Sequence, residues 1–97
     1  MKIVINTCYG GFGLSDAAKE RYVELTGSAP KSWYDLERND KALVQTVEEL
    51  GALANGPDSK LEVVEVESGV WYRINECEGS EEVLYRFFDY DWKLATD

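Results

Sequence analysis

The sequence predicts an α+β domain: a small three-stranded, mostly antiparallel sheet with two or three helices packed on one face. Three observations predict it. The apolar pattern changes period along the chain, from a β-branched run at 2–6, to helix-spaced stripes between 15 and 54, to alternation over 61–75. Gly, Asn and Pro punctuate each change. A chain of 97 residues, 44% hydrophobic and 12% aromatic, supplies one core. We therefore read 1–97 as a single acidic α+β domain, in which helices on one side of one sheet bury every apolar stripe.

Lys2 to Asn6 is apolar and β-branched and reads as a short buried strand. Thr7 to Leu14 is a loop in which Gly10, Gly11 and Gly13 supply turn conformations. Ser15 is a good N-cap, and Asp16 follows in the first turn, where negative charge suits the helix dipole. That helix extends to about Thr26, with Gly27 as its C′ residue and Ala18, Tyr22 and Leu25 on one face. Ser28 to Arg38 is a connection holding Pro30 and the exposed-looking pair Trp33-Tyr34.

Asn39 or Asp40 caps a second helix whose stripe is Leu43, Val47, Leu50 and Ala54, ended by Gly51 or by Asn55-Gly56-Pro57. Leu61 to Glu67 reads as a strand, although Val63-Val64 breaks strict alternation. Ser68-Gly69 is a turn, and Val70, Tyr72 and Ile74 alternate with Trp71, Arg73 and Asn75. These two strands are expected to form an antiparallel hairpin. Ser80-Glu81-Glu82 has the look of a cap and first helical turn, whereas Phe88, Tyr90 and Trp92 alternate with acids as on a strand. The favoured reading is a short helix to about Phe88 and an irregular aromatic tail.

Net charge is −9 with no histidine, and it is uneven. Residues 1–60 carry 9 acids and 7 bases, whereas residues 61–97 carry 10 acids and 3 bases. Such a chain repels nucleic acid, whose affinity for proteins rests largely on Lys and Arg neutralising phosphates, and it repels anionic membranes. It attracts basic protein surfaces. Cys8 and Cys77 follow no disulfide framework spacing. Ile3 to Ile5 is too short for a signal-peptide core, and no apolar run approaches the ~20 residues of a membrane span. A reducing cytoplasm with free thiols is the expected setting.

The opening Met1-Lys2-Ile3-Val4-Ile5-Asn6, with Cys8-Tyr9-Gly10-Gly11-Phe12-Gly13-Leu14-Ser15, resembles a family of small phage-encoded proteins of unknown function. Ala42 to Gln45, Val47 to Gly51 and Leu61 to Glu67 are similar as well, while the segment after Arg86 departs from the family pattern. The resemblance implies an accessory protein acting inside an infected bacterium, in the host cytoplasm. It carries no catalytic residues.

The loop Cys8, Tyr9, Gly10, Gly11, Gly13, Ser15 lies between a strand and a helix, a geometry able to receive a phosphate or a nucleotide. It lacks the Lys-Ser/Thr of a P-loop and the spacing of a dinucleotide fingerprint, and Asp16 opposes an anion. A tight packing turn is the plainer explanation. Cys8 has no histidine base to make it a nucleophile, and no Cys/His or EF-hand spacing suggests a metal. A carboxylate pair for glycoside hydrolysis needs a sugar cleft that a domain this small does not readily build. The chain is read as a non-enzyme with no cofactor.

The acids of the second half are the best lead: Glu62, Glu65, Glu67, Glu76, Glu78, Glu81, Glu82, Asp89 and Asp91, with Trp71, Tyr90 and Trp92 as aromatic anchors. Carboxylates on a rigid surface imitate the phosphates of a duplex. The expectation is an anti-CRISPR-like inhibitor, monomer or small homo-oligomer, that binds a basic host protein or nucleoprotein complex. The alternatives are a small-ligand protein using the glycine loop and a virion or oligomer component.

Overall fold

A computed structural model describes residues 1–86 and 91–96. The elements in order are β1 (Lys2–Asn6), α1 (Asp16–Thr26), a 3-10 turn (Trp33–Asp35), α2 (Lys41–Leu50), a second 3-10 turn (Gly51–Ala54), β2 (Leu61–Glu65), β3 (Trp71–Cys77), β4 (Ser80–Arg86) and β5 (Lys93–Leu94). The fold is α+β with antiparallel pairing throughout. The strands divide between a two-stranded ladder, β1-β2, and a three-stranded sheet in the order β4-β3-β5.

β1 sits at the centre because both of its faces are apolar. Val4 joins Leu14, Ala18, Tyr22, Leu43 and Val47 under the two helices. Ile3 and Ile5 point the other way and pack with Val66, Tyr72 and Ala95. The β1-β2 ladder thus lies between a helical layer and the second sheet. This placement accounts for the broken alternation at Val63-Val64: Val63 packs against the helical cluster and Val64 against the sheet cluster.

The helix boundaries follow the sequence signals. The Ser15 side chain accepts from Ala18 N at 3.1 Å, and Gly27 ends α1 with φ of 85°. Asp40 Oδ1 accepts from Ala42 N and Leu43 N at 2.9 and 3.1 Å. Trp33 is not exposed as its position in a connection suggested: it is half-buried, edge-on to Tyr22 with ring centroids 5.5 Å apart. Tyr34 is exposed.

Two expectations are overturned. The strand at Leu61 to Glu67 does not pair with the strand from Val70. β2 pairs with β1 instead, Lys2 opposite Glu65 through Asn6 opposite Leu61. Residues 66–70 cross between sheets, with Val66 N donating to Met1 O and Gly69 N to Ala95 O. The reason is facial chemistry. β2 offers Leu61 and Val63 to the helical cluster and Val64 to the sheet cluster, which suits the central layer, whereas β3 carries Arg73 and Asn75 on one side and suits the outer one.

The second correction concerns Ser80, Glu81 and Glu82, which begin a strand rather than a helix. Glu78 and Gly79 have φ of 52° and 91°, two consecutive positive values of the kind a tight hairpin turn requires. That turn sets Cys77 opposite Ser80, Ile74 opposite Val83 and Tyr72 opposite Tyr85. Pairing with β3 outweighs the local capping signal. Phe88 and the rest of 87–90 lie outside the described residues. Among the described residues no helix is long and apolar enough to cross a membrane.

Candidate functional site: the acidic hairpin end

The loop after β1 is fastened to the β3-β4 turn by Asn6, which is fully buried. Its Nδ2 donates to Cys8 O at 2.6 Å and to Gly79 O at 2.8 Å. Its Oδ1 accepts from Cys8 N at 3.3 Å and Lys60 N at 2.8 Å. These bonds use the full capacity of the amide. The fit is close enough that a Cβ on Gly79 would run into Tyr9 O and stand 2.7 Å from Gly11 N. Gly10 is equally confined, against the backbone and side chain of Asp58.

The rest of the glycine loop is similarly engaged. Gly13 O accepts from Gly56 N at 3.2 Å and Ser59 Oγ at 2.7 Å. The Ser15 hydroxyl donates to Leu53 O at 2.6 Å while capping α1. Cys8 is half-buried, and Gly11 takes a left-handed φ of 90°. Close backbone approach therefore explains Gly10 and a left-handed φ explains Gly11, whereas a Cβ on Gly13 would meet nothing within 4 Å. The one side chain of the loop held out to solvent is Tyr9, 73% exposed and seated beside the hairpin turn.

The acids of the second half separate into distinct groups. Glu81 is buried and internal. It accepts from Arg38 Nη1 and Nη2 at 2.6 and 2.9 Å and from Asn6 N at 2.8 Å. The Arg38 guanidinium also lies 3.8 Å from the Phe12 ring centroid. Glu81 is thus a fastening between β1, β4 and the segment before α2, not a surface carboxylate. Nothing local to Ser80-Glu81-Glu82 signals this, because the partner is 43 residues away.

Glu76, Glu78 and Glu82 are exposed near the hairpin end, with Glu76 and Glu82 on opposite faces of the β3-β4 pair. Glu76 is opposite Glu81, Glu78 is in the turn, and Glu82 is opposite Asn75. Glu62, Glu65 and Glu67 are exposed on β2 and just beyond it, a second group. Asp91 is exposed next to Trp92, a half-buried ring with the Arg73 and Arg86 guanidinium carbons 5.5 and 4.7 Å from its centroid. Trp71 is half-buried on β3, opposite Arg86 on one side and Leu94 on the other. Asp89 and Tyr90 lie outside the described residues.

Ion pairing deepens the asymmetry. Lys2 pairs with Glu48 at 2.9 Å, Arg21 with Glu49 at 2.7 Å and Glu24 at 3.4 Å, and Lys93 with Glu37 at 3.3 Å. These acids all belong to the nearly neutral half. The hydrogen bond from Arg21 pulls the Glu49 carboxyl from 4.5 down to about 2, and the bond to Glu48 raises Lys2. Among the described residues Glu62, Glu67, Glu76 and Glu78 form no ion pair, and Glu82 accepts only from Asn75 Nδ2, at 3.3 Å.

Between Tyr9 and the hairpin is a cavity of about 170 Å³, lined by Tyr9, Asn75, Cys77, Ser80, Glu81 and Glu82. Tyr9, Asn75 and Asn6 are the contributors that sequence patterning does not single out as partners of the acids. No group of three or more Cys, Asp or Glu among the described residues is placed to hold a metal ion. No family model, curated protein or solved structure matches the chain.

Proposed function

We propose that the protein is an acidic, non-enzymatic binding module that blocks a basic, nucleic-acid-binding host complex, as a phage-type accessory protein of the anti-CRISPR kind acting in the host cytoplasm. The observation that carries this reading is the set of exposed carboxylates without Lys or Arg partners at the hairpin end, Glu76, Glu78 and Glu82, with Glu62 and Glu67 beyond them. Uncompensated negative charge on a sheet held by a buried ion pair presents a fixed pattern to a basic groove. Its field steers encounter with a positive partner and falls off within about 10 Å at 0.1 M salt.

The test is capture of a basic protein or nucleoprotein from bacterial lysate at low and high salt. Capture is expected to weaken as salt rises and to fall when Glu76, Glu78 and Glu82 are changed together to Gln. Glu81 is left intact, since its loss would unfasten the sheet. Capture that ignores both salt and the triple change refutes the reading.

A further inference from the structure

We infer that the cavity between Tyr9 and the β3-β4 hairpin is a socket for one arginine side chain of a basic partner. The inference rests on the proposed acidic-binder function and names the anchor within it. Three features support it. The first is size: about 170 Å³ is room for one long side chain. The second is chemistry. Asn75 Nδ2 donates to Glu82 Oε1 at 3.3 Å, so Asn75 Oδ1 and Glu82 Oε2 keep acceptor capacity in two residues that line the cavity. A carboxylate and an amide oxygen on neighbouring residues suit the several donors of a guanidinium better than the point charge of a lysine.

The third feature is the aromatic wall. Tyr9 is 73% exposed, its backbone meets the hairpin turn at Gly79, and it lines the cavity together with Asn75 and Glu82. A guanidinium between a ring face and a carboxylate gains cation–π attraction and charge-assisted hydrogen bonding together. Arg38 makes the same pair of contacts inside this protein, stacked on Phe12 and bonded to Glu81. Glu81 lines the socket as well, so the site backs onto an ion pair already rigid. The molecule's overall charge of −9 favours a cationic occupant.

The experiment is an NMR titration of the whole chain with N-acetyl-arginine amide, and with the neutral isostere N-acetyl-citrulline amide as control. Saturable shifts are expected at the Tyr9 ring and at the Asn75 and Glu82 amides with the arginine compound. Tyr9→Ala and Glu82→Gln are expected to weaken binding about tenfold, and Glu20→Gln, at an exposed position of α1, to leave it unchanged. Tyr9 and Glu82 are exposed, so both variants should keep the dispersed spectrum of a folded chain.

Equal response to citrulline, or arginine shifts spread equally over Glu62, Glu65 and Glu67, overturns the socket. So does an arginine titration unaffected by either variant. The lysate capture separates the two ideas. If a basic partner is retained by Tyr9→Ala and Glu82→Gln but lost when Glu62, Glu65 and Glu67 become Gln, the socket is wrong and the acidic-binder function stands. If no basic partner is captured at all, the function fails, and the titration decides the socket on its own.

Discussion

Arg38 holds Glu81 with both terminal guanidinium nitrogens, at 2.6 and 2.9 Å, across 43 residues of sequence. The pair joins the strand that opens the fold to the hairpin that carries the exposed acids. Removing one partner of a buried pair strands the other. Glu81→Ala and Arg38→Ala are each expected to cost ~3 kcal/mol in urea unfolding, at the lower end for such pairs because Arg38 keeps some solvent contact. The double change to Leu should cost less than the sum, leaving about 1 kcal/mol for the Asn6 N–H that loses its acceptor. Equal and additive costs would show that the two residues act independently.

The hairpin turn makes a paired prediction with glycines. Gly79 and Gly69 have nearly the same φ, 91° and 90°, so alanine at either meets about 1–2 kcal/mol of left-handed strain. Only Gly79 also lacks room, with Tyr9 O and Gly11 N in the way, whereas nothing stands within 4 Å at Gly69. Gly79→Ala is expected to destabilise by at least ~1 kcal/mol more than Gly69→Ala in the same melt, by forcing the loop away from the turn. It should also move the NMR signals of Tyr9, which Gly69→Ala should not.

Asp40 serves two helices. Its Oδ1 caps α2, and its Oδ2 accepts from the Tyr22 hydroxyl of α1 at 2.9 Å. Burial, followed by the Asp40 carboxylate, raises the Tyr22 phenol above its ordinary value. Tyr22→Phe loses one hydrogen bond, about 1 kcal/mol. Asp40→Ala loses that bond and the cap, for roughly 2 kcal/mol or more. Chemical denaturation of both variants checks the order, and a larger loss for Tyr22→Phe would contradict it.

Acid should weaken the α1-α2 contact through Glu49. Its carboxyl titrates at about 2 in the fold against 4.5 ordinarily, with the Arg21 hydrogen bond as the main cause. A lowered folded value means the stabilisation is complete above 4.5 and is lost as pH falls towards 2. Glu49→Gln should therefore lower the melting temperature slightly at neutral pH, with the gap to the parent protein closing as pH falls through that window. The pair is exposed, so its effect is small and screened by salt.

The helical half was legible in the sequence because its signals are local. Ser15, Gly27 and Asp40 act on backbone groups within a few residues of themselves. The β half was legible only as strands, not as partners. Leu61 to Glu65 could pair with the next strand or with β1, and the choice depended on which faces were to be covered, a property of the whole assembly. Ser80 to Arg86 carried a helix start and a strand pattern at once, and the turn at Glu78-Gly79 decided between them. The acids read as one group in the sequence but are separated by the fold, and Glu81 could not be told from Glu82, because burial depends on Arg38 and Asn6 arriving from elsewhere.

The pairing of β1 with β2 has a consequence for how the chain is made. Ile3 has its ladder partner in Val64, about sixty residues downstream, and its apolar neighbours Tyr72 and Ala95 come later still. At a synthesis rate of roughly 5–20 residues per second, β1 waits several seconds before it can be covered. Closing so long a loop early also slows folding, since chain entropy is lost before any contact repays it. The nascent chain therefore leaves the ribosome with a sticky β-branched segment bare, an opportunity for chaperones and a hazard in crowded expression.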